Sequence, residues 1–261
     1  MKLYVVNAFT RVDFGGNPAG VIPLTAWLSD EMMQQMAAQH NLAETGFIVQ
    51  EADAFRIRWF TPTVEVDLCG HATLATAHIY FSHLNYPGKQ ILFNSKSGPL
   101  PVYRENDGSI SLDFPLNRPS KAAILPEILE GLKAKPLAFY SSTFDFLAVF
   151  EKQSDIEKLD PDFKILAQVK SRGLITTAKG EDVDFVSRCF FPQSGIDEDP
   201  VTGSAYTVLA PYWADQLGKT KLSAIQLSKR KGYLNCELRG ERVLINGFAK
   251  TYLEGEIFLA Q

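Results

Sequence analysis

Residues 54–77 read AFRIRWFTPTVEVDLCGHATLATA and residues 183–207 read VDFVSRCFFPQSGIDEDPVTGSAYT. Laid over one another at an offset of 130 residues, Phe60 falls on Phe190, Pro62 on Pro192, and, with no gap, Cys69, Thr73 and Ala75 fall on Asp199, Gly203 and Ala205. Each stretch runs from an alternating, strand-like segment through a tight loop into a helix of small and apolar residues. Upstream, DPDFKILAQVKS and GLITT take the places of SDEMMQQMAAQH and TGFIV, and downstream Gly98 recurs as Gly232. Agreement in order and spacing, with few shared side chains, is the trace that duplication of one α+β unit leaves behind.

Working outward, residues 2–9 alternate as a first strand and residues 15–20 carry the Gly/Pro signature of a turn. Residues 29–41 predict a helix capped by Ser29, and Glu44 opens the strand ETGFIVQ. The residues of HATLATAHIYF are small or apolar all round, which predicts deep burial. Strands are expected around 91–94, 99–104 and 109–114, with Asp107-Gly108 as a hairpin turn. The boundary between the halves is expected near NRPSK (117–121), giving a first domain of 1–118 plus 250–261 and a second of 119–249. GEIFLA, surplus to the second unit, is expected to cross back to the first. The fold class read from this is α+β, two similar pseudo-symmetric halves, each a mostly antiparallel sheet or barrel wrapped around a central helix. Two such halves would hold their repeated loops across one crevice, a preferred place for ligands.

Bulk composition narrows the function. The chain has 261 residues, 46% hydrophobic and 21% charged, so it is expected to fold throughout. A formal charge of −4 and a pI near 5.6 offer no basic stripe for phosphates, so a small molecule is a better partner than a nucleic acid. Three cysteines without short metal-type spacing read as reduced thiols of a cytoplasmic protein. MKLYVVNAF lacks a signal-peptide pattern, and no apolar run approaches the roughly 18 residues of a membrane span. Dinucleotide, P-loop and nucleophile-elbow motifs are missing.

The repeated loops supply the candidate residues. Backbone N–H groups at two helix starts would attract a carboxylate and stabilise an enolate forming from it. Asp199 before Pro200 fits an N-cap with Pro at the first helical position, and equally, with Asp197 and Glu198, a carboxylate cluster that holds or orients a general acid. Gly203 and Ser204 would let a ligand approach the backbone. His71 at a helix start is expected to be neutral, as acid, base, donor or simply a structural histidine. Cys69 with His71 and His78 makes a poor metal set, lacking a fourth ligand, so no metal is expected. Cys69 is either a small buried hydrophobe or a thiol acidified by the helix start. Glu44 reads as a solvated link residue, or as the one acid without a counterpart in the other half. Asn17 in FGGNPAGV either binds a ligand or holds a turn.

Together, FGGNPAGV, AETGFIV, RWFTPTVEVDLCGHATLATAH and GIDEDPVTGSAY resemble, in order and over essentially the whole chain, the phenazine-biosynthesis PhzF-like family of isomerases and predicted epimerases. The resemblance implies the diaminopimelate-epimerase-like fold and proton transfer without metal or organic cofactor. It implies Glu44 as the group that moves the proton, assisted by His71 and Asp199, with Gly203 and Ser204 against the substrate. Asn17 and Gly70 join them as expected substrate contacts, and a homodimer is expected. In related epimerases two cysteines serve as paired acid and base. Here Cys69 matches the first and Pro200 occupies the place of the second, which favours Glu44, His71 and Asp199 and leaves Cys69 a secondary candidate. The expected substrate is a small carboxylate-bearing molecule, the alternative function a non-catalytic binding protein of the same fold.

Overall fold

The computed structural model describes residues 1–51 and 54–259. They form two compact units, Met1–Asp113 with Asn246–Gln261, and Phe114–Ile245.

The first unit opens with β1 (Lys2–Ala8) and β2 (Asn17–Leu24), antiparallel partners. β2 therefore begins inside the segment expected to be a turn. The turn is confined to residues before Asn17, where Gly16 takes a φ of +65° and a Cβ would stand 2.1 Å from the Ala8 carbonyl oxygen. Helix α1 (Asp30–His40) comes next, with Met32 N–H donating to the Ser29 hydroxyl at 3.2 Å and Asn41 in the left-handed region closing the far end. The chain returns as β3 (Glu44–Glu51), parallel to β2, then β4 (Ala54–Phe60), antiparallel to β3, and a two-residue strand β5 (Glu65–Val66). Helix α2 (Gly70–Ser82) is buried from Gly70 to Ala77 without a break. A helix with no polar face must be surrounded, and β1, β2, β3 and later β7 pack around it. Then come β6 (Gln90–Ser95), parallel to β4, and the antiparallel β7 (Gly98–Arg104) and β8 (Ile110–Pro115).

The second unit repeats that order. Short β9 (Ser120–Lys121) pairs with β10 (Ala138–Ser141), with helix α3 (Pro126–Leu132) between them, and β10 with β11 (Asp145–Val149). Helices α4 (Gln153–Glu157) and α5 (Phe163–Leu166) lead to β12 (Gly173–Lys179), parallel to β11 as β3 is to β2. β13 (Phe185–Phe191) runs antiparallel to β12, β14 (Ile196–Asp199) is a short partner of β13, and helix α6 (Tyr206–Leu217) comes after it. β15 (Lys221–Gln226) is parallel to β13 as β6 is to β4, and β16 (Gly232–Arg239) and β17 (Arg242–Gly247) complete the unit. Phe185 stacks on Trp213 of α6 at 5.7 Å, and the Trp213 indole N–H donates to Thr177. Mostly antiparallel strands wrapped on a buried helix, twice, is the expected architecture.

Three local expectations change. The helix foreseen over DPDFKILAQVKS shrinks to one turn at Phe163–Leu166, capped by Asp162. The returning strand is β18 (Ala249–Glu256), earlier than GEIFLA: it pairs antiparallel with β1 from Ala8↔Ala249 to Lys2↔Glu256, while residues 257–259 carry no strand and Ala260 lies outside the described residues. The unit junctions fall within β8 and β17 rather than at 118/119 and 249/250, because NRPSK is already committed to the second unit through the pairing of β9 with β10. Among the described residues no helix is long and apolar enough to cross a membrane.

Candidate active site

Glu44 is placed by the strand it opens. After the left-handed Asn41 ends α1, the chain enters β3 with Glu44 opposite Ala19 of β2. The close fit of the two strands is set by Gly20, where an added Cβ would meet the Thr45 hydroxyl at 2.9 Å. His71 is placed by α2. Cys69, extended at φ −142°, precedes the helix and makes no side-chain cap bond, and His71 is the second helical residue. Its ring, 5% exposed, joins three side chains. Nε2 lies 3.1 Å from Glu44 Oε2, while Nδ1 lies 3.3 Å from Asn17 Nδ2 and 3.5 Å from Cys69 Sγ. The contact between Glu44 Oε2 and His71 Nε2 is close but poorly directed for a hydrogen bond, and neither atom has another hydrogen-bond partner among the described residues. The first unit thus brings together Asn17, Glu44, Cys69 and His71, with Gly70 between the last two in sequence.

Electrostatics corrects two expectations. Burial disfavours an imidazolium at His71, but the nearness of Cys69 and, after it, of Glu44 outweighs burial and holds its pKa well above the usual imidazole value. Cys69 moves the opposite way from an acidified thiol: burial, reinforced by Glu44, pushes its pKa up. Both neighbours favour the proton on His71, Cys69 from the Nδ1 side and Glu44 from the Nε2 side. Helix-start reasoning missed this because it weighed the dipole without a carboxylate 3.1 Å away.

The donor set also differs from the one the spacing suggested. Glu44, Cys69 and His71 place donor atoms within 4.8 Å of one another. His78 turns away to Thr251 Oγ1 at 3.0 Å, its pKa pushed down to about 4 by burial and by neighbouring His83. An imidazole ligates an ion through one nitrogen, and here the sulfur and the carboxylate sit at opposite ring nitrogens. The trio is better suited to passing a proton than to enclosing a cation.

In the second unit Asp199 is not a helix cap. It ends β14, opposite Cys189 of β13, and α6 starts only at Tyr206 after the 3₁₀ turn Gly203–Ala205. Its buried carboxylate accepts from the Thr202 hydroxyl at 2.6 Å. Gln226 completes the arrangement from β15, its amide nitrogen donating to Asp199 O at 2.8 Å and its carbonyl accepting from Thr202 N–H at 2.9 Å. Ser228 donates to Pro200 O at 2.7 Å. The expected carboxylate cluster is dispersed: Asp197 is exposed and Glu198 is engaged by Arg188 through two hydrogen bonds. Gly203 is buried and Ser204 half-buried at the turn that leads into α6. By strand register the position matching Glu44 is Gly173, next to Arg172, whose guanidinium forks onto the buried Asp145, so this unit has no equivalent acid there.

Thr202, Gln226 and the arginines Arg58 and Arg188 were not foreseen from sequence. The arginines could have been, since they stand at the same 130-residue offset as Phe60 and Phe190. Gln226 could not, because nothing local ties it to a loop 24 residues earlier.

Known proteins resemble this chain in sequence and in fold. Residues 6–255 match the model of the family described as phenazine biosynthesis-like protein. An uncharacterised isomerase of Pseudomonas aeruginosa is 48% identical over 260 residues, covering 100% of this chain and 99% of its own. The crystal structure of a PhzF-family phenazine biosynthesis protein from Enterococcus faecalis superposes with a TM-score of 0.96 at 44% identity, covering 99% of both chains. A probable proline racemase from Agrobacterium radiobacter shares the fold alone, at 9% identity and a TM-score of 0.66, over 99% of this chain and 93% of its own. The fold is therefore that of the isomerases and epimerases built on a doubled α+β unit. Within that class the chain belongs to the phenazine biosynthesis-like, or PhzF-like, isomerase family.

Proposed function

We propose that the protein is a cofactor-independent isomerase or epimerase that moves a proton on a small carboxylate-bearing substrate. The observation that carries the reading is the contact of Glu44 Oε2 with His71 Nε2 at 3.1 Å, buried at the start of a helix. A carboxylate so placed serves as a general base with a proton-bearing imidazole beside it.

In this mechanism Glu44 removes a proton from a carbon next to a carbonyl, carboxyl or double bond, and the bonding electrons move onto the activating group. Backbone N–H groups near Gly70 and His71 meet the oxygen on which charge develops. The imidazolium of His71 donates a hydrogen bond toward that charge while the now protonated Glu44 returns the proton to another carbon, or His71 delivers its own proton to the opposite face and takes the one on Glu44 in exchange, so that none is gained or lost. The Asn17 side-chain amide lies 3.3 Å from the second ring nitrogen, and with its oxygen turned to accept from the imidazolium N–H it fixes the orientation of the ring. Asp199 is assigned the assisting acid, and Gly203 and Ser204 contact with the substrate, as the family resemblance implies.

The test is deuterium uptake. A panel of small hydroxy and amino acids incubated with the protein in heavy water is read by mass spectrometry and proton NMR. One or more acids should gain a single deuterium, and Glu44→Gln should slow the uptake by about 10²-fold or more. Uptake unchanged in Glu44→Gln removes the carboxylate from its central role, and a panel that binds without exchange favours a binding protein.

A further inference from the structure

Arg58 and Arg188 make the same construction, once in each unit. Arg58 donates from Nε and Nη2 to Glu65 Oε1 and Oε2 at 2.7 and 2.8 Å, and Arg188 donates from the same two nitrogens to Glu198 at 2.7 and 2.9 Å. Each guanidinium lies over the aromatic ring two residues on, Phe60 at 5.1 Å and Phe190 at 5.2 Å. Each uses Nη1 to reach a helix ahead of the next strand: Arg58 to Asp30 of α1 at 2.7 Å, Arg188 to the carbonyls of Ile156 and Leu159 around the end of α4. All four side chains of the two pairs are at least three-quarters buried.

The segments these carboxylates belong to have brief strand pairings, with turn and loop bonds such as Thr61 N–H to Val64 O and Gln226 to Asp199 O tying the backbone beside them. β5 is two residues long and pairs with β4 only through Trp59↔Val66 and Phe60↔Glu65. β14 pairs with β13 through Cys189↔Asp199 and Phe191↔Ile196, with an irregularity between. Such short, bulged pairings leave the direction of the next side chain weakly determined. A planar fork held by two parallel hydrogen bonds supplies the missing angular constraint. Alternation then orients the neighbouring residue: with Glu198 turned to Arg188, the adjacent Asp199 is turned to the other face, toward Thr202. In the first unit Glu65 is held by Arg58 and Lys96, and Ser97 donates to Asp67 O, which fixes the approach to Cys69 and His71.

We infer that Arg58 and Arg188 are positioning residues of the reaction, each setting through its glutamate the orientation of the site residues next in the chain, His71 in one unit and Asp199 in the other. The inference rests on the proton-transfer reading for its meaning, yet its test needs no substrate. Arg58→Lys and Arg188→Lys keep the charge and remove the fork. Ile22→Val and Ile175→Val, buried in the same two units, are the stability-matched controls. The protein without ligand, carrying ¹⁵N-labelled histidine and threonine and ¹³C-labelled aspartate, is titrated by NMR. Arg58→Lys should lower the pKa of His71 by about half a unit or more as its contact with Glu44 loosens. Arg188→Lys should shift the Asp199 carboxyl carbon and the Thr202 amide, and the valine controls should leave all three signals in place. If the lysine variants lose stability while these signals stay at their wild-type positions, the arginines are structural only and the inference falls. Because no turnover is read, failure of the proton-transfer reading would show in the deuterium assay and not here.

Discussion

A buried imidazole with no charge beside it sheds its proton, and at His78 burial does lower the pKa, to about 4. At His71, on the same helix, Cys69 and the Glu44 carboxylate together reverse the outcome. The proton held there should be visible by ¹⁵N NMR as a His71 titration well above the ordinary imidazole value, and Glu44→Gln should bring it down. For stability, a folded pKa above the unfolded value of about 6.5 gives stabilisation that is complete below that pH and lost as the pH rises through the folded value. Urea unfolding at stepped pH should therefore show wild type losing stability over that window by more than Glu44→Gln does. Cys69 should behave as a protected thiol: burial raises its pKa, so native protein should be alkylated by iodoacetamide far more slowly than unfolded protein at neutral pH. That Asn17, Glu44 and His71 belong together was implied by the family resemblance that FGGNPAGV, ETGFIV and LCGHATLA help to carry. Their charge state was not, because it depends on a carboxylate and an imidazole 27 residues apart in sequence.

Between residues and the whole chain, short strands are held by side chains more than by ladder bonds. The Arg58 fork holds the Glu65 carboxyl down to about 2, against burial, with Lys96 helping. A depressed acid contributes stability that is present above its unfolded pKa, near 4.5, and is lost as the pH falls through the folded value. Glu65→Gln should cost about 1 kcal/mol at pH 7, a figure reduced by partial exposure to solvent, and the gap from wild type should close as the pH approaches 2. A second element, β16, is tested at Gly232, where a Cβ would stand 2.2 Å from Val201 Cγ2. Gly232→Ala should destabilise by about 1–3 kcal/mol in thermal or urea unfolding, with Val201 and its neighbours displaced. Elements whose bonds are local were legible: Ser29 caps α1 as its position suggested. Asp199-Pro200 looked equally like a cap and is not one, because Thr202 and Gln226 take the hydrogen bonds that a helix would have offered. Long-range partners of this kind leave no trace in a short window of sequence.

At the scale of the molecule, the repeat was the most legible feature, since equal spacing survives after side chains have diverged. Strand directions repeat with it, parallel at β2/β3 and β4/β6, and again at β11/β12 and β13/β15. Each unit has its own buried helix, so native-state hydrogen exchange should reveal two separate sets of slow amides, one centred on α2 and its strands and one on α6 with β12 and β13. A single slow set confined to one unit would contradict this. Less legible were the unit boundaries, because the chain changes units inside extended backbone rather than in a loop.

β18 gives the fold a schedule. Among the described strands β1 leaves the ribosome first, and β2 can pair with one of its sides at once. Its other side waits for residues 249–256, which are translated only after the entire second unit. Through most of synthesis, then, the nascent chain carries an open strand edge, the feature most apt to recruit another chain. Of the described strands, the last to be translated is the one that closes it.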